Sequence, residues 1–341
     1  MNPQQNVPLR DYSTMRLGGD AAYVCTVTSR TELTSAVTWA NEQQLPVIMI
    51  GGGSNIIWRD EGFGGLVIVN DMLRYEDFAE DEFNHYVTIG AGENWDSVVE
   101  RTVSAGLTGI ECLSLIPGKA GATPVQNVGA YGQEIANTLV SVEAYDRNTN
   151  TFVNIPNVDC GFGYRTSRFK TTDKDQFFIT AITLHLTTAR PEPPFYASLQ
   201  KYLDEHDVHD YSPQTLREAV VDIRSHKLPD PATVANNGSF FANPIVDHGT
   251  YVQLEADFGE LPHWEVGGGI KLSAAWLIEQ VGFKAVHDQE TGMATWPPQP
   301  LVFVNEAAKS TADLLTFRQK VLDAVQTKFG VTLQQEPELL P

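Results

Sequence analysis

The stretch Pro46–Asn55, PVIMIGGGSN, decides how this sequence is interpreted. Pro46 opens a short apolar run, Val47–Ile50, which is typical of a buried β-strand and leads directly into GGGSN. Glycines let a backbone approach a ligand closely and direct several N–H groups at one anion. No Gly-Lys-Ser/Thr follows and no GxGxxG opens a helix, so neither a P-loop nor a nicotinamide-binding Rossmann motif is indicated.

A second glycine-rich stretch, residues 117–132, has the same character. Its glycines alternate with polar residues: Gly118, Gly121, Gly129 and Gly132 with Thr123, Gln126, Asn127 and Tyr131. Tight turns alone would explain the three glycines of the first loop equally well. Two such loops in one chain favour a cradle for an anionic ligand such as a pyrophosphate.

Composition limits the kinds of partner. The 341 residues carry a formal net charge of −20, which disfavours nonspecific binding to nucleic acid or to an anionic membrane. No apolar run approaches the length of a membrane span and the N-terminus lacks a signal-peptide core, so we expect no membrane insertion and a cytoplasmic location. Cys25, Cys112 and Cys160 are widely spaced, so we expect reduced core thiols and no metal site.

Helical and strand-like segments alternate in mixed order. A capping box at Ser29 and Glu32 predicts the first helix, and Gly106 is expected to end the second. The first helix is predicted from Ser29 onward by the helical spacing of Leu33, Val37 and Ala40. Further helices are predicted over 95–105, 212–227, 271–280 and 310–329, and strands over 47–50, 66–69, 86–89, 139–145, 177–186 and 301–304. This order predicts α+β domains rather than one doubly wound sheet.

Five blocks of the sequence occur together in a distinctive order: IGGGSNIIW (50–58), IPGKAGATPVQNVGAYGQE (116–134), GFGYRTSRFK (161–170), KLPDP (227–231) and GSFFANP (238–244). They resemble the UDP-N-acetylenolpyruvoylglucosamine reductase (UDP-N-acetylmuramate dehydrogenase) family, over about Leu9 to Glu338. The resemblance implies an FAD-binding domain of the vanillyl-alcohol-oxidase (PCMH-like) type in two subdomains, plus a smaller α+β substrate domain. The implied boundaries are 1–70 with the tail 329–341, 71–228, and 229–328.

The resemblance also implies a reaction in peptidoglycan precursor synthesis. NADPH would reduce FAD, and flavin N5 would give a hydride to the vinyl carbon of an enolpyruvyl sugar nucleotide. Arg165 matches the arginine that grips the substrate carboxylate, and Ser239 matches the proton donor. Glu336 matches the C-terminal acid, with Glu338 as the alternative.

Cofactor and substrate contacts follow from the same resemblance. FAD contacts are implied for Gly51, Gly52, Gly53, Ser54, Asn55, Ile116, Pro117, Gly118, Gly121, Ala122, Thr123, Gln126, Asn127, Gly129, Ala130 and Tyr131. Substrate contacts are implied for Tyr164, Tyr196, Lys227, Asn243 and Gln299. The expected partners are the sugar nucleotide and NADPH, and we expect a monomer.

Other interpretations remain open from the residues alone. Arg165 is compatible with a structural salt bridge, and a serine beside glycine, as at Ser239, is most often part of a turn. No GxSxG elbow is present, which disfavours a hydrolase. Another flavin enzyme of the same fold, such as a sugar or alcohol oxidase, would share the glycine loops. A non-catalytic nucleotide-binding module would need no proton donor.

Overall fold

The computed structural model describes residues 2–341. Its helices are α1 (Arg30–Glu42), α2 (Trp95–Ser104), α3 (Ile135–Thr138), α4 (Ala197–Glu205), α5 (Pro213–Lys227), α6 (His248–Phe258), α7 (Ala274–Gln280) and α8 (Thr311–Phe329). Its strands are β1 (Gln4–Pro8), β2 (Asp20–Val27), β3 (Val47–Ile50), β4 (Ile56–Trp58), β5 (Phe63–Asn70), β6 (Tyr75–Ala79), β7 (Asn84–Gly90), β8 (Gly129–Ala130), β9 (Gln133–Glu134), β10 (Leu139–Asp146), β11 (Thr151–Pro156), β12 (Phe177–Thr187), β13 (Asn236–Ser239), β14 (Phe241–Ala242), β15 (Ile245–Val246), β16 (His263–Val266), β17 (Gly269–Leu272), β18 (His287–Asp288), β19 (Met293–Trp296), β20 (Gln299–Asn305), β21 (Gln334–Gln335) and β22 (Glu338–Leu340).

The first of two structural units comprises residues 2–7, 21–52 and 63–225. It contains a sheet of order β1-β2-β5-β3, in which β2 and β3 run parallel to β5. A second, antiparallel sheet has the order β11-β10-β12-β7-β6. Helix α1 begins where Ser29 Oγ accepts the Glu32 N–H at 3.2 Å, and it buries Leu33 and Val37 in the same apolar cluster as Leu66 of β5. Helix α2 belongs to a second cluster, with the antiparallel sheet.

The second unit comprises residues 8–20, 53–62 and 226–341. Its main sheet is antiparallel, with the order β13-β20-β19-β18. Phe240, Phe303 and Phe317 form the centre of its core, and the rings of Phe240 and Phe303 stack at 4.5 Å. The C-terminal tail is held by two strand pairings, because β21 pairs with β14 and β22 runs parallel to β4.

The α+β prediction is confirmed by these mixed sheets. Most predicted helices and strands form within a few residues of the expected bounds, and α8 has the predicted capping box between Ser310 and Asp313. The helix predicted over 271–280 is wrong at its start, because Lys271 lies in β17. Helix α7 begins only after Ser273, whose Oγ accepts the Trp276 N–H. Helices α3, α4 and α6 had not been predicted.

The three cysteines are free thiols, and two are fully buried. Burial raises the pKa of Cys25 and of Cys160 to about 11, and it raises the pKa of Cys112 as well. These thiols therefore stay protonated and unreactive at neutral pH. Within residues 2–341, no helix is both long and apolar enough to cross a bilayer.

Candidate active site

In the first unit, Arg165 lies at the corner of a tight turn, Gly163–Thr166, which we call the Arg165 turn. Two backbone hydrogen bonds between Gly163 and Thr166, of 3.0 and 3.3 Å, close it. Arg165 has a left-handed φ of 54°, a conformation that costs a residue with a Cβ roughly 1–2 kcal/mol. Its Nη2 donates a 2.7 Å hydrogen bond to the carbonyl of Gly129. The predicted carboxylate-binding cation therefore lies against the second glycine-rich loop.

The two glycine-rich loops contact each other within the first unit. A Cβ at Gly52 would lie 3.2 Å from Gly118 Cα, and one at Gly51 would lie 3.2 Å from Lys119 Cβ. Lys119 Nζ bonds Asp71 Oδ1 at 3.0 Å, so its charge is engaged within the protein. The two backbones thus approach closely at this point. A paired backbone surface of this kind fits a pyrophosphate, which needs N–H donors and little side-chain bulk.

Packing explains two of the glycines without any ligand. A Cβ at Gly121 would lie 2.3 Å from the Cβ of Ala91. In the second unit, a Cβ at Gly53 would lie 2.2 Å from the Tyr12 carbonyl oxygen, and Gly53 has a φ of 71°. Close packing alone therefore explains why these two positions are glycine.

Thr123 and Asn127 of the second loop direct their side chains into the protein. They are 3% and 1% exposed, and Thr123 Oγ1 donates to the Ala120 carbonyl at 2.7 Å. A side chain that touches a cofactor would be exposed in a structure without one. Any cofactor contact of these two residues would therefore come through their backbone.

Tyr131 and Tyr196, both predicted near the ligands, lie together in the first unit. Their rings meet edge to face with centroids 6.1 Å apart, and Tyr196 is 42% exposed just before α4. The Tyr131 hydroxyl hydrogen-bonds Arg224 of α5. Burial raises the pKa of Tyr131, while the nearby guanidinium opposes that rise. Tyr131 is thus a neutral phenol held between a half-buried cation and an exposed ring.

A partly buried ion pair between Asp96 and Arg217 belongs to the hydrogen-bond network around Arg224. Arg217 Nη1 and Nη2 contact the two carboxylate oxygens of Asp96 at 2.6 and 3.1 Å. Asp96 Oδ1 also accepts the Leu115 N–H at 2.5 Å, and the Leu115 carbonyl accepts from Arg224 Nη2 at 3.2 Å. The network therefore joins α2 and α5 to the start of the second glycine-rich loop.

In the second unit, Ser239 is the last residue of β13, where it pairs with Val302 of β20. It is half-buried and follows Gly238, which has a φ of 68°. The preceding Asn237 is 6% exposed, and its Nδ2 lies 3.0 Å from Thr14 Oγ1 and 3.2 Å from the Ser54 carbonyl. Asn237 thus anchors the serine-bearing strand to the first glycine-rich loop.

Both candidate acids of the tail are half-buried in the second unit. The Glu336 N–H donates to the Phe240 carbonyl at 2.9 Å, one residue after Ser239. The Glu338 N–H donates to the Asn55 carbonyl at 2.9 Å. The tail therefore lies beside the serine segment at Glu336 and beside the first glycine-rich loop at Glu338.

The remaining predicted substrate residues belong to different elements of the two units. Lys227 ends α5 and is exposed, Gln299 begins β20, and Asn243 Oδ1 accepts the Ala274 N–H at 2.9 Å at the start of α7. The guanidinium of Arg165 lies 5.4 Å from the ring centre of Tyr164. Among residues 2–341, no group of three or more His, Cys, Asp or Glu side chains is arranged to hold a metal ion.

Sequence reasoning missed the residues that support the site. Asn237 lies two positions before Ser239, Ser167 lies two positions after Arg165, and both are buried. Arg224 and the Asp96 ion pair were also missed. For Asn237 and Ser167, a position inside or next to a recognised block was the only signal, because a supporting hydrogen bond joins residues far apart in the sequence. Nothing in the sequence marked the Asp96 ion pair.

Comparison with known proteins identifies the two ends of the chain separately. A family profile described as an FAD binding domain matches residues 21–154. A second profile, described as the C-terminal domain of UDP-N-acetylenolpyruvoylglucosamine reductase, matches residues 230–340. The crystal structure of UDP-N-acetylenolpyruvylglucosamine reductase from Thermus caldophilus superposes with a TM-score of 0.69 at 24% identity, covering 100% of both chains. That likeness establishes the fold.

Similar curated proteins cover nearly the whole chain. The UDP-N-acetylenolpyruvoylglucosamine reductases of Ralstonia nicotianae and Thermobifida fusca are 39% and 38% identical to it. The alignments cover 98% of this chain in both cases, and 98% and 97% of those proteins. At this identity and coverage, the chain belongs to the UDP-N-acetylenolpyruvoylglucosamine reductase family and is an FAD oxidoreductase.

Proposed function

We propose that the chain reduces UDP-N-acetylenolpyruvoylglucosamine to UDP-N-acetylmuramate in peptidoglycan precursor synthesis, with bound FAD and with NADPH as reductant. The observation that carries the proposal is the hydrogen bond from Arg165 Nη2 to the Gly129 carbonyl. This bond holds Arg165, a cation suited to binding a carboxylate, against the second glycine-rich loop, which resembles a flavin site. Relatives named for this substrate align with 98% of the chain.

FAD is the cofactor that suits the two glycine-rich loops. The close backbone approach of Gly52 and Gly118 suits a pyrophosphate. The residues proposed to hold FAD are Gly51, Gly52, Gly53, Ser54, Asn55, Ile116, Pro117, Gly118, Gly121, Ala122, Thr123, Gln126, Asn127, Gly129, Ala130 and Tyr131. Bound FAD would accept a hydride from NADPH and supply it to the vinyl carbon of the substrate. The chain must then stabilise negative charge on the substrate carboxylate and protonate the adjacent carbon.

Arg165 is proposed to hold the substrate carboxylate. A guanidinium stays charged and can form two parallel hydrogen bonds to one carboxylate. Hydride addition at the far carbon builds enolate-like charge on this carboxylate. A donor already oriented toward that charge stabilises the transition state more than the ground state. Glu336, or Glu338 in its place, is proposed to hydrogen-bond the same charge as it forms, either as a protonated acid or through its positioning by Arg165.

Ser239 is proposed to donate the proton. A serine hydroxyl is a weak acid, so it protonates only a strongly basic carbon such as this intermediate. The half-buried position of Ser239 at the end of β13 suits a group that must be reached by substrate yet held in place. Its neighbour Asn237 supplies the anchoring.

The nucleotide part of the substrate needs positive charge from a chain whose net charge is −20. Lys227 is the proposed partner of the diphosphate, and the exposed Tyr196 would cover it. Tyr164, Asn243 and Gln299 are proposed as further substrate contacts. The proposed reaction makes a cytoplasmic precursor, and we propose a cytoplasmic monomer.

Ser239→Ala separates the two halves of the reaction. Removal of the hydroxyl should leave the reduction of bound flavin by NADPH nearly unchanged. It should slow reoxidation by the enolpyruvyl sugar nucleotide by roughly 10²–10⁴-fold, the usual contribution of a positioned acid. Anaerobic stopped-flow absorbance at the flavin band measures both steps. Ser104→Ala, which removes an exposed hydroxyl at the end of α2, is the control. Wild-type reoxidation in Ser239→Ala would exclude the proton-donor role.

A further inference from the structure

Two side chains tie the Arg165 turn to the second glycine-rich loop. Asn127 Nδ2 donates to the Gly163 carbonyl at 3.1 Å, at the start of the turn. Ser167 Oγ donates to the Val125 carbonyl at 2.6 Å, just after the turn. The turn is therefore fastened to the loop on both sides of the arginine.

The side chains of Asn127 and Ser167 each form more than one hydrogen bond within the protein. Asn127 Nδ2 also donates to Glu134 Oε2 at 2.7 Å, and its Oδ1 accepts the Ala136 N–H at 3.1 Å. Ser167 Oγ accepts the Phe169 N–H at 3.2 Å. Asn127 and Ser167 are each 1% exposed. Buried polar groups with several partners hold one geometry, since any rotation would leave a buried donor or acceptor unsatisfied.

The guanidinium of Arg165 also contacts the same loop. Its Nη2 bonds the Gly129 carbonyl, and a Cβ at Gly129 would lie 3.1 Å from Nη1. The backbone of the turn and the far end of the side chain are thus both fixed against residues 125–129. A bidentate grip on a carboxylate requires the guanidinium plane to be fixed in this way.

We infer that Asn127 and Ser167 are positioning residues that orient Arg165 toward the substrate carboxylate. This inference rests on the proposed function, because it needs a substrate carboxylate for Arg165 to bind. It gives Asn127 a role distinct from cofactor contact. It also gives Ser167 a role that no motif indicated. Both side chains are buried within the protein, so we expect them to act through the arginine rather than by contact with the substrate.

A pair of ligands tests the inference directly. UDP-N-acetylmuramate carries the carboxylate, whereas UDP-N-acetylglucosamine lacks the whole lactyl group. Isothermal titration calorimetry of the FAD-loaded enzyme gives a Kd for each ligand. In Asn127→Ala and in Ser167→Ala, affinity for UDP-N-acetylmuramate should fall about tenfold or more, as expected when a charged contact is misplaced. Affinity for UDP-N-acetylglucosamine should change less than about twofold, because its contacts lie elsewhere.

Matched controls remove comparable side chains elsewhere in the first unit. Asn70→Ala deletes a 3% exposed amide that bonds the Ile179 carbonyl, and Ser141→Ala deletes a 9% exposed hydroxyl on β10. Both controls should keep the wild-type preference for the carboxylate. Ser167→Ala alone suffices if Asn127→Ala does not fold.

Three outcomes would overturn the inference. Unchanged affinity for UDP-N-acetylmuramate in Asn127→Ala and Ser167→Ala would show that Arg165 does not need these ties. An equal loss for both ligands would indicate a purely structural role. A wild-type enzyme that shows no preference for the carboxylate ligand would overturn the proposed function itself, and the inference with it.

Discussion

At the scale of single residues, the same amino acid serves different purposes within one recognised block. Gly121 is required by its packing against Ala91, whereas Gly129 leaves space beside the guanidinium of Arg165. Asn127 could be singled out from the sequence as a polar residue of a glycine-rich loop. One of its partners, the Gly163 carbonyl, lies 36 positions away, and no local pattern encodes such a contact.

The choice between the two tail acids is tested by Glu336→Gln and Glu338→Gln. The variant that removes the catalytic acid should slow flavin reoxidation by substrate by roughly 10²-fold or more, because a donor to the developing charge is altered. Flavin reduction by NADPH should stay near wild type in both. Rapid-mixing measurements of flavin absorbance give both rates in Glu336→Gln and in Glu338→Gln, and each variant serves as the control for the other. Equal, wild-type reoxidation in both would remove any tail acid from the mechanism.

At the scale of elements, caps and apolar periodicity were sufficient to predict most helices. Helix α8 has its capping box at Ser310, and α2 ends before Gly106, which has a φ of 77°. Lys271 and Leu272 were wrongly assigned to a helix, because they lie in β17, which pairs with the adjacent β16 and with the more distant β15. The tail strand β22 likewise forms through its pairing with β4.

Asp96→Asn tests how α2 and α5 are joined. Burial acts to raise the pKa of Asp96, but hydrogen bonds from Arg217 and the Leu115 N–H outweigh it and hold that pKa below its usual value. The substitution should lower the free energy of unfolding by about 2–4 kcal/mol at pH 7, because it leaves a buried arginine without its counter-ion. Urea denaturation measures this. As a control, Asp210→Asn, which removes an exposed ion pair with Arg190, should change the free energy of unfolding by less than about 1 kcal/mol.

The pH dependence of this effect has a definite sign. A carboxylate whose pKa is lowered by folding stabilises the fold above its unfolded pKa, and this stabilisation is lost as the pH falls through the folded pKa. The difference between wild type and Asp96→Asn should therefore be constant above about pH 5 and shrink below about pH 4. A difference that grew on acidification would contradict the ion-pair account.

At the scale of the whole molecule, the ordered blocks were sufficient to predict the family and the α+β class. Each block marks a place where backbone or side chain must keep a particular geometry, and their order follows from the fold. The implied three-part division into 1–70 with the tail, 71–228 and 229–328 stays a prediction. The two structural units divide the chain near Ser225 and group residues 8–20 and 53–62 with the C-terminal part. Such grouping depends on strand pairings across long separations, as between β4 and β22.

The most direct test of the account is a two-step anaerobic titration of the purified wild-type protein. The proposed function predicts a yellow protein whose flavin absorbance is bleached by one equivalent of NADPH. Addition of UDP-N-acetylenolpyruvoylglucosamine should then restore the absorbance and yield UDP-N-acetylmuramate, while UDP-N-acetylglucosamine should leave the flavin reduced. A colourless protein that takes up no FAD, or a reduced flavin that the enolpyruvyl sugar nucleotide fails to reoxidise, would contradict the account.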